Sequence, residues 1–415
     1  MPEVVVLDGA RTPIGSFGGM LREVNAPTLL EHAFRAALAK TKIDPREIDE
    51  TIVGQVFQGS DAPDIARFCS LRVGIPEQVP GIAINRQCAS GLEAAVWGAK
   101  NILTGEADLV LTGGVESMST VPYHIRGMRW GVKMGPQIMI DGMAELLDDP
   151  SAGGMWIWAE NMADKFEVSR AEQDQWSLVS HQRAVAATAS GRMREEIAPI
   201  EIAERKGTRG AASSRGTIDS KSNAKSPRDA ASVMDKDEGP RADTSLEKLA
   251  RLEPKWKSDG TITPGNASTM NDGACAVFIA SREKANALGV QPLAQIVSWA
   301  IVGVDPEITG YAPVVAIPAA LKKAGLAQKD IALFEVNEAF AVMIVTTIRE
   351  LNLDPEKLNV NGGAIALGHP VGMSGNRLLL TMAYELKHRR AEFGVIALCA
   401  GGGQGIAMVV QNIQG

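Results

Sequence analysis

The sequence predicts an α/β protein of two similar halves with a dissimilar insertion between them. Three observations carry this expectation. Short apolar strand patterns alternate with helical patterns up to about residue 110, and a similar series resumes after about residue 290. The glycine-ended strand "DLVLTGGVESMS" (108–119) is echoed by "FGVIALCAGGGQG" (393–405). Between the halves, roughly 120–270, the chain turns rich in Met, Trp and charge.

In the first half, Val4–Asp8, Thr51–Phe57, Gly81–Ile84 and Leu109–Thr112 read as strands, being short apolar runs. Thr28–Lys40 and Ala89–Leu103 read as helices. In the second of these, Leu92, Ala95, Val96, Ala99, Ile102 and Leu103 recur at the spacing of one buried helix face. In the second half, Pro292–Val302, Leu333–Val336, Leu358–Val360 and Val395–Cys399 read as strands. Val314–Ala324, Ala339–Glu350 and Ser374–Lys387 read as helices. The strand–turn–helix around residue 88 has a counterpart in 359–382. Within the insertion, 205–229 is polar, aperiodic and more basic than acidic. It reads as a solvated loop or as a basic lip for a phosphorylated ligand.

Composition narrows the function. A chain of 415 residues, 45% apolar, can bury two or three domain cores. A formal net charge of −7 argues against a dedicated nucleic-acid binder. Four cysteines in so long a chain do not suggest a disulfide framework, which points to a reducing, cytoplasmic setting. "MPEVVVLDGARTP" lacks the basic start and long apolar core of a signal peptide. No apolar run reaches bilayer length, so no membrane partner is expected. The ending QNIQG carries no lipidation or peroxisomal signal.

Four stretches could carry chemistry. In "AINRQCASGLEAA" (83–95), Cys88 sits where a strand turns into a helix. Unpaired N–H groups and the helix dipole there favour a thiolate and can hold an oxyanion. A cysteine among small residues can equally be a packed core thiol. In "NVNGGAIALGHPVGMSGN" (359–376), His369 lies in a glycine-rich turn, either as a base or hydrogen-bond donor or as a residue that only caps the turn. In "LCAGGGQGIAMVV" (398–410), Cys399 ends a strand before three glycines whose N–H groups can converge on an anionic oxygen. A phosphate loop is disfavoured there, since neither Lys-Ser/Thr nor a helical pattern follows. In "FEVNEAFA" (334–341), Asn337 and Glu338 stand at a strand–helix junction, where Asn337 could orient a water and Glu338 could fix a neighbour. His32, His124, His181 and His388 show no metal-ligand spacing, and no metal site is read.

Taken together these stretches resemble the thiolase family, over nearly the whole chain. The carriers are "GARTPIGSFGG" (9–19), "NRQCASG" (85–91), "GGVESMS" (113–119), "GTITPGNAS" with "NDGA" (260–274), "VNEAFA" (336–341), "NGGAIALGHPVGMSG" (361–375) and "CAGGGQG" (399–405). The likeness looks closest to the acetyl-CoA acetyltransferase branch. It implies a layered α-β-α-β-α fold. Its domains would be an N-terminal half (1–119 plus 271–291), a loop domain (120–270) that binds CoA and makes oligomer contacts, and a C-terminal half (292–415). It implies an acyltransferase acting on acyl-CoA and CoA as a homotetramer or dimer, with no cofactor beyond its thioester substrates. By family position Cys88 is the acyl-accepting nucleophile, His369 its base and Cys399 the second acid/base. Asn337 holds a water for one oxyanion hole, and the N–H groups of Cys88 and Gly401 form the other. Arg241 falls near the nucleotide end of CoA and Ser268 near the pantetheine. Met155, Ala339 and Phe340 fall in the substrate pocket.

Some positions depart from the family pattern. Where a Met-Gly-x-Thr-Ala-Glu run is common, this chain has "MWIWAEN" (155–161), with Trp156 and Trp158 in place of small residues and Gly154 where a histidine often stands. Pro264 precedes the "GNAS" motif, Thr269 follows it, and Thr309 stands where Met is frequent. The indoles could shrink the acyl pocket, rebuild it for a bulky or aromatic group, or pack as core. A decarboxylating condensing enzyme fits less well, since such enzymes pair their cysteine with two histidines or with His and Asn. A non-catalytic scaffold or partner-dependent subunit is the remaining alternative.

Overall fold

The computed structural model describes residues 2–148, 151, 153–202 and 232–414. The 205–229 stretch and its basic-lip reading lie outside the described residues. Nine strands line up in one mixed sheet: β1 (Val4–Arg11), β2 (Glu50–Gly54), β3 (Gly81–Ile84), β4 (Leu109–Ser117), β5 (Asn271–Ser281), β6 (Ala294–Gly303), β7 (Leu333–Val336), β8 (Phe393–Ala400) and β9 (Gln404–Asn412). Their order is β7-β8-β9-β6-β1-β5-β4-β2-β3, and the short pair Gly15–Ser16 adds onto β5.

The two halves meet along a three-residue antiparallel seam, Val4–Val6 of β1 on Ala294–Ile296 of β6. Away from the seam the same pairings repeat on both sides. β1 is antiparallel to β5, β5 antiparallel to β4, and β4 parallel to β2. Likewise β6 is antiparallel to β9, β9 antiparallel to β8, and β8 parallel to β7. The repeat read from "DLVLTGG" and "FGVIALC" is therefore β4 and β8, equivalent strands of the two halves.

The helices make the layers. They are α1 (Ala26–Thr41), α2 (Ser90–Thr104), α3 (Met155–Lys165), α4 (Arg170–Ala189), α5 (Ala312–Ala324), α6 (Ala341–Leu351) and α7 (Val371–Arg389). α2 and α7 fill the middle layer: Leu92, Val96 and Ala99 share a core with Leu378, Leu379 and Met382. Val277 and Ile279 of β5 face that core, whereas Ala276, Phe278 and Ala280 face α1 with Leu30 and Phe34. In the second half, Ile406, Met408 and Val410 of β9 face the middle while Ala407 and Val409 face α5 and α6. Period-two alternation with both faces buried produces continuous apolar strands. α3 and α4 belong to the insertion. Arg11 ties it to β1 through buried contacts with Glu196 (3.1 Å) and Asp237 (2.7 Å).

Several sequence boundaries shift for identifiable reasons. Leu358–Val360 is not a strand, because Asn359 takes a left-handed φ of 47°. Its side-chain amide instead pairs with both backbone groups of Val336, at 2.8 Å each, and so stands in for a neighbouring strand. β2 stops at Gly54 because the N–H groups of Val56 and Phe57 donate to the Glu116 carboxylate rather than to a ladder. α7 starts three residues before Ser374, directly after Pro370. Among the described residues no helix is long and apolar enough to cross a membrane.

The middle layer closes to backbone contact at one place. A Cβ on Gly91 of α2 would stand 2.7 Å from the Gly372 carbonyl oxygen, and one on Gly375 of α7 would stand 2.3 Å from the Leu92 nitrogen. Neither neighbour is a side chain that can move aside. Gly375→Ala is expected to destabilise the protein by about 1–3 kcal/mol through overpacking and to lower activity with it, both read from a melting curve beside an activity assay. An unchanged melting temperature would mean that the helices can separate freely.

Candidate active site

The chain leaves β3 at Ile84 and enters α2 at Ser90 through a turn in which Gln87 takes a left-handed φ of 47°, an uncommon conformation for a residue with a Cβ. Its neighbours hold it there. Asn85 Oδ1 accepts from the Gln87 N–H (2.8 Å), while Ser90 Oγ donates to the Gln87 carbonyl (2.6 Å) and accepts from the Arg86 N–H (2.9 Å). Arg86 bridges Glu93 of α2 and Gln404 of β9. Cys88 follows, one residue before Ala89, an N-cap with no side-chain hydrogen bond. The thiol therefore stands at the positive end of a 15-residue helix.

His369 is placed by the equivalent turn of the other half. Its N–H donates to Asn271 Oδ1 (2.8 Å), and its Nδ1 lies 2.6 Å from Ser374 Oγ, in the second turn of α7. That hydroxyl has one proton and also lies 2.9 Å from the Pro370 carbonyl, which can only accept; with the proton donated there, Nδ1 carries the ring proton. Nε2 is left as the basic nitrogen, 3.3 Å from Asn337 Nδ2. Burial, reinforced by the charge of Arg377, lowers the imidazole pKa from the usual 6.5 to about 3, so the ring is neutral at physiological pH.

Asn337 ends the run of β7 and is fixed by its N–H to the Ala397 carbonyl (2.9 Å). Its side-chain oxygen is buried and has no partner among the described residues. A buried amide oxygen calls for a donor such as a water or a ligand. Glu338 does not face the site. Its carboxylate accepts from Trp176 Nε1, Ser180 Oγ, Asn359 Nδ2 and the Ile365 N–H, which ties α4 and the 359–365 loop around Asn337.

Cys399 is the penultimate residue of β8, with Sγ 3.7 Å from Met343 Sδ. Burial pushes its pKa well above the usual thiol range, and the nearby Cys88 pushes it further. Gly402 and Gly403 make the following turn at φ 80° and 73°, and β9 comes next. Strand–turn–strand, with no helix after it, rules out a phosphate loop.

Cys88, His369, Cys399 and Gly401 line one cavity of about 100 Å³. Met155, Ser268, Ala339 and Phe340 share its walls. Asn337 is not a wall residue and meets the cavity through His369. Arg241 is elsewhere, lining an exposed cleft of about 310 Å³ with His181 and Lys248. It forms no ion pair among the described residues, and Thr269 lines both spaces. Trp158 stands in the wall of the small cavity, whereas Trp156 lies outside it, stacked on Trp256 at 5.3 Å. The remaining thiols, Cys69 and Cys275, are buried outside the cavity and burial pushes both up to about 12. Sequence reasoning missed Ser374 and Asn271, which orient the histidine. A hydroxyl five residues past His369, inside the helix it precedes, was the available signal.

A repeated, layered α/β fold that brings two thiols and a neutral imidazole into one apolar cavity defines a thiol-dependent acyl-transfer enzyme. The chain belongs to the thiolase family: residues 4–283 match the model of the thiolase N-terminal domain and 290–412 that of the thiolase C-terminal domain. It is a thiolase-type acyl-CoA acyltransferase. It is 44% identical to the mitochondrial 3-ketoacyl-CoA thiolase of Homo sapiens (99% of this chain, 98% of that protein) and 42% identical to the acetyl-CoA acetyltransferase of Pseudomonas aeruginosa (99% of each). Among solved structures, the human mitochondrial 3-ketoacyl-CoA thiolase in complex with CoA superposes with a TM-score of 0.91 at 43% identity, covering 99% of this chain and 98% of that one. The Bacillus anthracis acetyl-CoA acetyltransferase gives 0.92 at 39%, covering 100% and 99%. The likeness to the two branches is nearly equal.

The histidine carries a pH signature. Below pH 6.5 the unfolded chain protonates this imidazole and the folded chain does not, so the stability it contributes is full above 6.5 and is lost as pH falls toward 3. Relative to wild type, His369→Asn is expected to flatten the loss between pH 6.5 and 5 by at most about 1.4 kcal/mol per pH unit, measured from denaturant midpoints. Taking the difference between the two proteins cancels Glu116 and Glu335, buried carboxyls raised to about 7 and 8 that titrate with the opposite sign. Parallel curves would refute a buried, neutral His369.

Proposed function

We propose that the protein catalyses reversible thiolytic cleavage of a 3-ketoacyl-CoA and, in reverse, the Claisen condensation of two acetyl-CoA to acetoacetyl-CoA and CoA. The observation that carries this reading is the meeting of Cys88, His369 and Cys399 in one small cavity.

In the condensing direction, His369 Nε2 takes the Cys88 proton and the sulfur attacks the thioester carbon. The C–S bond to CoA breaks, and the leaving thiolate takes a proton from Cys399. Cys399 is then a thiolate of high basicity, suited to removing the weakly acidic α-proton of a second acetyl-CoA. Its burial favours that role, because a raised thiol pKa makes a strong base. The imidazolium of His369 and a water on Asn337 stabilise the enolate oxygen. The enolate carbon attacks the Cys88 thioester, whose oxygen faces the N–H groups of Cys88 and Gly401. The new C–C bond forms as the C–S bond to Cys88 breaks, and the Cys88 sulfur recovers its proton from His369.

CoA would run from the thiols past Ser268 to the cleft where Arg241 meets its phosphates. Thr269, a wall of both spaces, supports that path. Met155, Ala339 and Phe340 would contact the acyl end. The chemistry needs no metal or redox cofactor. We assign the loop domain to 120–270 and the catalytic halves to 1–119 plus 271–291 and to 292–415. We further assign a homo-oligomer, tetramer or dimer, a cytoplasmic location and a role in fatty acid metabolism.

Intact-mass analysis after mixing with acetyl-CoA is expected to give one acetyl adduct on the wild type and none on Cys88→Ala. Cys399→Ala is expected to gain the adduct more slowly, since CoA leaves without its proton donor, while acetoacetyl-CoA formation falls about 10²–10⁴-fold. Asn337→Ala should lose about 10²–10³-fold in kcat. A folded wild type that takes up no acyl group from acetyl-CoA or acetoacetyl-CoA would favour the scaffold reading.

A further inference from the structure

The two thiolase branches to which the chain is almost equally similar differ in the acyl groups their names carry, so identity does not choose between them. The cavity does. On thiolysis of a 3-ketoacyl-CoA the acyl group left on Cys88 is the substrate chain shortened by two carbons, and this group must fit beside His369, Cys399 and the sulfur of CoA. The space holding them is about 100 Å³. An engineered apolar cavity of about 150 Å³ accommodates the six carbons of benzene. A hexanoyl group, left by 3-ketooctanoyl-CoA, has the same number of carbons and less room.

The bulkiest residue in the cavity wall is Trp158. Trp158 is 1% exposed and lines this cavity but not the Arg241 cleft. It meets the Phe340 ring edge-on, with centroids 4.9 Å apart and planes at 86°. It has no room to retreat, since an atom added at the Cβ position of Gly310 would already stand 2.5 Å from its ring. Its indole N–H is buried without a hydrogen-bond partner among the described residues. No polar anchor therefore explains why an indole stands here, and what it contributes is bulk. Trp156, the other indole of "MWIWAEN", is stacked on Trp256 away from the thiols and has no part in this.

We propose that Trp158 sets the acyl-chain limit of this enzyme, making it a short-chain thiolase whose acyl pocket admits acetyl and butanoyl groups and rejects hexanoyl and longer ones. The inference rests on the thiolase reading above.

The test is steady-state thiolysis of acetoacetyl-CoA, 3-ketohexanoyl-CoA and 3-ketooctanoyl-CoA by the full chain and by Trp158→Ala and Trp158→Phe. In the wild type, kcat/KM is expected to fall at least tenfold between the shortest and longest substrates. Trp158→Ala should raise the ratio for 3-ketooctanoyl-CoA over acetoacetyl-CoA by tenfold or more, in line with the discrimination a methylene or two commands in an apolar pocket. Trp158→Phe, a smaller ring without the unpaired N–H, should shift the ratio in the same direction by less than Trp158→Ala. A flat or rising wild-type profile overturns the inference and leaves the thiolase reading standing. So does a folded Trp158→Ala or Trp158→Phe with an unchanged ratio. If Trp158→Ala does not fold, the wild-type profile and Trp158→Phe still decide. Failure of the wild type on all three substrates removes the thiolase reading and the inference with it.

Discussion

Everything at the site depends on two helix N-termini touching backbone to backbone. α2 begins just after Cys88 and α7 just after His369, and they belong to opposite halves of a repeated fold. Each half alone would present one chemical group at the end of one helix. Only where Gly91 and Gly375 let the helices close to contact do the thiol and the imidazole face a common space. The third group, Cys399, comes from the strand equivalent to β4, so its position follows from the pairing that builds the second half. The seam between β1 and β6 is only three residues long, which leaves the middle-layer core to hold the halves in register.

Around that contact, buried side chains do what backbone ladders cannot. Glu116 accepts the N–H groups of Val56, Phe57 and Gly372, tying the loop after β2 to the first turn of α7. Asn359 caps the open side of Val336, Glu338 gathers α4 and the 359–365 loop, and Asn271 holds the backbone of His369. None of these residues lines the cavity. Each satisfies backbone groups that irregular chain would otherwise leave unpaired, and this is what lets irregular segments hold a geometry as well as a strand does.

Burial then separates the roles of the titratable groups. The same apolar surroundings that strip His369 of its charge hold Cys399 protonated. A neutral imidazole can accept a proton and its conjugate acid gives it up readily, whereas a reluctant thiol becomes a strong base once ionised. Opposite shifts from one environment thus set the two groups apart.

Much of this was legible in the chain itself. The α/β class, the repeat, and the turns bearing Cys88, His369 and Cys399 are local: apolar period, glycine placement and residue type specify them. Strand ends were less legible, because β2 and the 358–360 segment stop where a side chain from elsewhere, Glu116, or an unusual φ, at Asn359, replaces the ladder. The tautomer of His369 depends on Ser374 spending its one proton on Pro370, a fact of three-dimensional geometry. The two tryptophans of "MWIWAEN" looked alike in sequence, yet one became a cavity wall and the other a surface stack. The sequence by itself determined which chemical groups the protein carries and the local turns that present them, since those are short-range properties. Tertiary structure alone decided which groups share a cavity, how large it is and how they ionise, because distance, volume and desolvation are set by residues far apart along the chain.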